Sequence, residues 1–331
     1  MLAPIVLFVY NRPWHTRQTV EALQRCELAA ESDLYIFADG PKEDATKEVM
    51  EKINDVRCYV HSINGFHSIT IEESDTNKGL ANSVISGVSK IIEKIGKAIV
   101  LEDDILTHPF FLHFMNEALD FYQKDKRIYC IGAFMDNITI PQKYSHDVFV
   151  CQRIETWGWA TWADRWRQTD WNTSNYAILK HPTKKKIREL CQGGDDLWPL
   201  LQMQAAGKVD SWAARWQYSL TLANAYCLRS VKTLVKNIGL DGSGTNCGNI
   251  SENNITLPPN TISFYESNYS LSTPLYSHPY YNIQMVGGIE EDSALIANLQ
   301  SHFARPSNYP KLWKYAKRCI NQILNHIKNN P

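Results

Sequence analysis

The stretch AIVLEDDI, Ala98 to Ile105, sets four apolar residues directly before three consecutive carboxylates. A short, fully apolar run that stops at charge reads as a strand buried on both faces, the kind that fills parallel sheets. Just upstream, Gly79 to Lys94 begins a segment with Leu80, Val84, Val88, Ile91 and Ile95 at helical spacing. The same alternation extends to the start of the chain. Ile5–Val9 reads as a strand, a helix follows near Thr16–Cys26, then a strand at Leu34–Ala38, a helix near Ala45–Asp55 and a strand at Ser68–Glu72. This β-α-β-α order predicts an α/β fold with a mostly parallel sheet covered by helices.

Open sheets of this class bind ligands at the carboxyl ends of their strands, where loops converge and helix N-termini point positive dipoles into a crevice. Three polar clusters fall at such ends: Asn11-Arg12, Asp39-Gly40 and Glu102-Asp103-Asp104. Alone, the first is a turn residue with a surface cation and the second a plain turn. Their shared position points to nucleotide contacts, with Asp39 suited to a base or ribose hydroxyl. Lys78, before a helix N-terminus, reads as a phosphate contact or a solvated lysine. The triplet would repel itself without a cation. Mg²⁺ or Mn²⁺ suits its hard oxygens and leaves positions for a donor's phosphates. The alternative is an acidic turn in which Asp103 or Asp104 caps a helix beginning near Pro109.

From about Ile128 the composition changes, and most of the tryptophans cluster in ETWGWATWADRW and DSWAARW. Trp157-Gly158-Trp159 reads either as a sugar-stacking platform or as core packing. A carboxylate placed within reach of a reacting hydroxyl can take its proton as a general base. Asp210, before the helical run Ser211 to Ala225, is the preferred candidate, with N-capping as its alternative role. Asp195, Asp196 and Asp241 are further candidates. Gly239 to Thr261 is rich in turn formers, and Tyr309 to Lys328 forms a basic amphipathic pattern. The expected organisation is a nucleotide-sugar-binding half at 1–127, an acceptor-binding half at 128–260 and an extension at 261–331.

A net charge of -1 offers no global attraction to nucleic acid. The eight cysteines contain no CxxC pair, so neither a zinc knuckle nor a compact disulfide framework is expected, and a reducing cytoplasm suits them. The run Pro4 to Tyr10 reads as a strand and not as a signal peptide, being too short and lacking a basic leader. The 309–328 helix suggests peripheral contact with the inner membrane face, or packing on the protein itself.

At IVLFVYNRP, FADGPK, NKGLANSVISGV, VLEDDILTHPFFLHFMNEAL, WGWATWADRW and LVKNIGLDGSGTNC, the chain resembles bacterial sugar transferases of surface-polysaccharide clusters. More distantly it resembles the Golgi N-acetylglucosaminyltransferase I family. The resemblance runs from about residue 4 to 250. It implies a GT-A fold with a smaller acceptor-binding half and an inverting, Mn²⁺-dependent transfer. The donor would be a nucleotide-diphosphate sugar, with UDP the expected nucleotide, and the acceptor a glycan or lipid-linked glycan. It further implies Asp104 as metal ligand, Glu102 and Asp103 as donor contacts, and Asn11, Arg12 and Asp39 as nucleoside contacts. Two departures stand out. The Golgi relatives carry their base after a Trp where this chain has Ala213, and bacterial relatives often have His where it has Asn246. A sugar-phosphate nucleotidyltransferase, or a binding protein without turnover, is the competing expectation.

Overall fold

The computed structural model describes residues 1–136, 138–241, 243 and 283–303. The strands are β1 (Ile5–Val9), β2 (Asp33–Ala38), β3 (Ser68–Glu73), β4 (Lys97–Glu102), β5 (Ile105–Thr107), β6 (Ile128–Gly132), β7 (Val148–Cys151), β8 (Trp159–Trp162), β9 (Tyr226–Ser230) and β10 (Val235–Asn237). The helices are α1 (Pro13–Gln24), α2 (Lys47–His61), α3 (Leu80–Ile95), α4 (Phe111–Phe121), α5 (Ala163–Trp166), α6 (Ala177–Lys180), α7 (Lys184–Leu190), α8 (Leu197–Ala205), α9 (Trp212–Leu222) and α10 (Ser293–Phe303).

Every residue of β1 is buried, and its side chains divide by alternation between the two faces of the sheet. Ile5, Leu7 and Val9 join a core with Val20 and Leu23 of α1, Val56 and Val60 of α2, and Phe111 and Met115 of α4. Val6 and Phe8 join a second core with Val84, Val88 and Ile91 of α3, Trp212 and Trp216 of α9, and Leu295 and Leu299 of α10. A sheet apolar on both faces must be covered on both. The result is the expected α/β, Rossmann-like arrangement with helices on either side.

Eight strands form one sheet in the order β3-β2-β1-β4-β8-β6-β9-β7. The β3-β2-β1-β4 portion is parallel throughout. Beyond it, β8 runs antiparallel to both neighbours, β6 and β9 are parallel, and β7 is antiparallel to β9. Strands from either side of residue 128 therefore share this single sheet. A second, two-stranded sheet pairs β10 with β5.

Local chemistry sets the helix limits. The first helix starts earlier than its apolar pattern implied because Pro13 occupies its first turn, where a missing N–H costs nothing. Thr46 caps α2 by accepting from Val49 N, and Gly96 ends α3 in the left-handed conformation. The acidic triplet caps no helix. It turns into β5, and α4 begins only at Phe111, without a side-chain cap. Ser211, not Asp210, caps α9, its hydroxyl accepting from Ala214 N at 3.1 Å.

Among the described residues no helix is long and apolar enough to cross a membrane. The 309–328 segment, Asn246 and most of the 239–261 stretch lie outside the described residues.

Candidate functional site

From β1 the chain steps outward through β2 to β3, then returns to place β4 on the other side of β1. The loops leaving β1 and β4 consequently diverge and open a crevice at their carboxyl ends, the switch point where open α/β sheets hold ligands. Asn11 and Arg12 leave β1 at this point, and Glu102, Asp103 and Asp104 leave β4.

The sequence clusters meet here in a specific way. Arg12 Nη2 donates to Asp103 Oδ1 and to Asp104 Oδ2, the second contact at 2.9 Å. All three side chains are largely buried, at 15, 6 and 8% exposure respectively. Burial alone would lower the Arg12 pKa, but Asp103 and then Asp104 outweigh it and hold the guanidinium charged. Asp103 is raised by burial against the opposing pull of Arg12. Half-buried Glu102 is pushed up to about 8 by burial and then by the charges of Asp104 and Asp103. The shift favours the protonated acid, which is able to donate a hydrogen bond.

Both sides of this cluster are pinned by backbone contacts. The Thr16 amide and hydroxyl donate to Arg12 O, each at 2.9 Å, and the Thr19 hydroxyl donates to Asp103 O at 2.8 Å. Arg12, Thr16 and Thr19 follow at i, i+4 and i+7, so one face of α1 organises both partners. From above, Ile238 N donates to Asp104 O at 2.9 Å, and Gly239 N donates to Asn237 Oδ1 at 2.7 Å. Gly239 closes over the carboxylate so tightly that an added Cβ would lie 2.8 Å from Asp104 Cγ and 2.9 Å from Arg12 Nη1.

A divalent ion would need several free oxygens converging at roughly 2.0–2.6 Å. Here the inner oxygens of Asp103 and Asp104 already receive one guanidinium nitrogen, and Gly239 fills the space above it. The residues present do not fit the Mn²⁺ or Mg²⁺ expected from the sequence. Among the described residues no group of three or more His, Cys, Asp or Glu side chains is arranged to hold a metal ion.

Asp39 acts on its own chain. Its carboxylate accepts from Gly40 N, Asn77 Nδ2, Lys78 N and Gly79 N at 2.8–3.1 Å, stapling the end of β2 to the start of α3. It shapes the loop, and the base or ribose contact expected of it would compete with these bonds. The Lys78 side chain is exposed.

The tryptophan motif divides. Trp159 is 1% exposed, its ring packed against Trp166, Trp212 and Trp216 at centroid distances of 4.5–5.6 Å. Its faces are consumed by the core, which corrects the expectation of an open platform there. Trp157 is half-buried and meets Phe134 edge-on. Gly158 between them has φ of +66°, and a Cβ would press on Val235 and Phe111, so only glycine allows the two rings to part.

Asp210 forms a short ion pair with Arg215, leaving its side chain 59% exposed. Two residues on, Trp212 packs on Trp159, which pairs with Val100 of β4.

The sequence reading missed other groups. His15 Nε2 lies 3.0 Å from Asp241 Oδ2. Burial would raise the Asp241 pKa, but hydrogen bonds from Ser243 and then His15 hold it below the ordinary value. Arg229, wholly buried, pairs with Asp136 at 2.8 Å and Glu155 at 2.7 Å. Glu155 in turn accepts from Thr156 N and Trp157 N and thereby fixes the Trp157 loop. His15 could have been suspected from its place one turn along α1 from Arg12. Arg229 could have been suspected as a lone charge in the strand YCLRS.

No protein family and no curated protein matches the sequence. Solved structures similar to the chain include residues 1–349 of TarS from S. aureus, at 10% identity and a TM-score of 0.35, covering 71% of this chain and 60% of that one. A UDP-glucose pyrophosphorylase complexed with UDP-glucose is similar at 11% identity and a TM-score of 0.33, covering 71% and 92%. The chain thus spans about 60% of that TarS fragment.

Proposed function

We propose that the chain is an inverting glycosyltransferase that takes a sugar from a nucleotide-diphosphate donor, UDP-linked in the simplest case, and delivers it to a glycan or lipid-linked glycan. The observation that carries this reading is the meeting of Arg12 with the Glu102–Asp104 triplet at the switch point between β1 and β4. The ordered motifs that resemble surface-polysaccharide transferases support it from the sequence side.

In this reading the donor lies in the β1/β4 crevice with its diphosphate towards the first turn of α1. That helix has no side-chain cap, so its leading N–H groups and its dipole face the leaving group. Arg12 neutralises Asp103 and Asp104, which would otherwise repel the phosphates. Glu102, whose pKa is raised by burial and by Asp104 and Asp103, donates a hydrogen bond to the donor in its protonated form, and the loop stapled by Asp39 receives the nucleoside beside Asn11. Trp157 offers the acceptor an apolar edge.

The acceptor hydroxyl attacks the anomeric carbon, the bond from that carbon to the diphosphate oxygen breaks, and the acceptor's proton passes to a carboxylate. Asp241 suits this last task better than Asp210. Its partner His15 lies on α1 one turn from Arg12, which ties Asp241 to the crevice, whereas Asp210 is paired with Arg215 at the start of α9.

The test is incubation of the full chain with a panel of nucleotide sugars and glycan acceptors. Transfer or slow donor hydrolysis with release of nucleoside diphosphate is expected. Asp241→Asn should lower turnover by about 10²–10⁴-fold with donor affinity retained. Release of nucleoside triphosphate on adding pyrophosphate would instead identify a nucleotidyltransferase, and binding without turnover a carbohydrate-binding protein.

A further inference from the structure

We infer that Arg12 is the resident cation of the acidic triplet: its guanidinium stands where a divalent ion would bridge Asp103 and Asp104, so the wild-type chain holds these carboxylates without metal and opens a metal site only when Arg12 is removed. The inference concerns the same crevice as the proposed donor site, but it stands whether or not the ligand there is a nucleotide sugar.

Three observations carry it. One guanidinium nitrogen serves both carboxylates, the geometry a bridging ion would otherwise supply. The pair is also built in. Thr16 holds the backbone of Arg12, Thr19 that of Asp103, and Ile238 that of Asp104, so neither side is a surface chain free to swing aside. Finally, Gly239 roofs the cluster and leaves Arg12 Nη1 buried without a hydrogen-bond partner. A site built to accept a hydrated ion would carry oxygen acceptors here, whereas this one meets the cation with a glycine.

Removing the guanidinium changes the chemistry of what remains. Asp103 and Asp104 would then be two adjacent buried carboxylates with no counter-charge, and half-buried Glu102 would stand beside them. Such a set either takes up protons or binds a hard cation. Arg12→Ala therefore converts a closed ion pair into a carboxylate site for Mn²⁺.

The experiment titrates Mn²⁺ into full-length wild type, Arg12→Ala, Asp104→Asn and the Arg12→Ala/Asp104→Asn double variant, without nucleotide. Calorimetry and the electron spin resonance of free Mn²⁺ give binding, and thermal melts give linked stabilisation. Wild type should show no saturable site and no shift in melting temperature. Arg12→Ala should gain saturable Mn²⁺ binding, should be stabilised by it, and should lose both effects in the double variant. Saturable binding by wild type that Asp104→Asn abolishes would overturn the inference, as would an Arg12→Ala protein that folds and stays indifferent to Mn²⁺. If Arg12→Ala fails to fold, the comparison of wild type with Asp104→Asn decides alone. Absence of nucleotide-sugar binding by wild type would count against the donor-site reading and leave this inference untouched.

Discussion

Gly239→Ala probes the closure of the site through a single methyl group. Its Cβ would sit 2.8 Å from Asp104 Cγ and 2.9 Å from Arg12 Nη1, and nearer still to Asp104 Oδ2. Comfortable carbon contacts begin at about 3.5–4.0 Å, so a gap of roughly 0.7–1.2 Å must open. Two hydrogen bonds resist that movement, from Ile238 N to Asp104 O and from Gly239 N to Asn237 Oδ1. At about 1 kcal/mol each their loss amounts to about 2 kcal/mol, within the roughly 1–3 kcal/mol typical of overpacking. Turning Asp104 away from Arg12 instead would damage a buried ion pair and cost no less. The expected result is a lower urea midpoint at unchanged slope, corresponding to about 2 kcal/mol. Gly287→Ala is the control. Its nearest contact would be Phe121 at 4.0 Å, and a change within about 0.5 kcal/mol is expected. A Gly239→Ala midpoint equal to wild type would mean that the chain after β10 does not lie on Asp104, and the description of the site as roofed would fall.

Two further substitutions test the site and the core beneath it. Trp159→Ala should destabilise the fold by about 3–5 kcal/mol, because it empties the centre of the Trp166, Trp212 and Trp216 cluster; a melting curve close to wild type would return this ring to the surface. Glu102→Gln should gain stability relative to wild type as pH rises. The folded-state pKa of Glu102, about 8, lies above its unfolded value, so its contribution is full below about 4.5 and is lost on the way up to 8. Urea melts of both proteins at pH 5 and pH 8.5 read the difference directly, and a difference independent of pH would contradict the raised value.

The parts of the fold that were legible in the sequence rest on local, repeating patterns. The runs Ile5–Val9 and Ala98–Leu101 announced buried parallel strands because a two-faced strand needs no polar alternation. The spacing of Val84, Val88 and Ile91 announced α3. Other features depend on partners far along the chain. Arg12 looked like a nucleotide contact because nothing near it in sequence shows that it will meet carboxylates 91 positions away. The insertion of β8 between β4 and β6 is likewise a choice of tertiary pairing, invisible in the short run WATW. Trp157 and Trp159 share a motif and differ in exposure because the φ of Gly158 turns one ring towards Phe134 and the other into the core. Between Asp210 and Ser211, both good capping residues, one register step decides which caps α9.

The pairing of β5 with β10 joins Thr107 to Val235. At a synthesis rate of about 5–20 residues per second, roughly 6–26 s pass between the emergence of these two segments. Through that interval Asp103 and Asp104 have left the ribosome with Arg12, but without the strand and glycine that later cover them. The nascent chain therefore leaves bare the side of Asp104 and Arg12 that Gly239 covers in the finished protein.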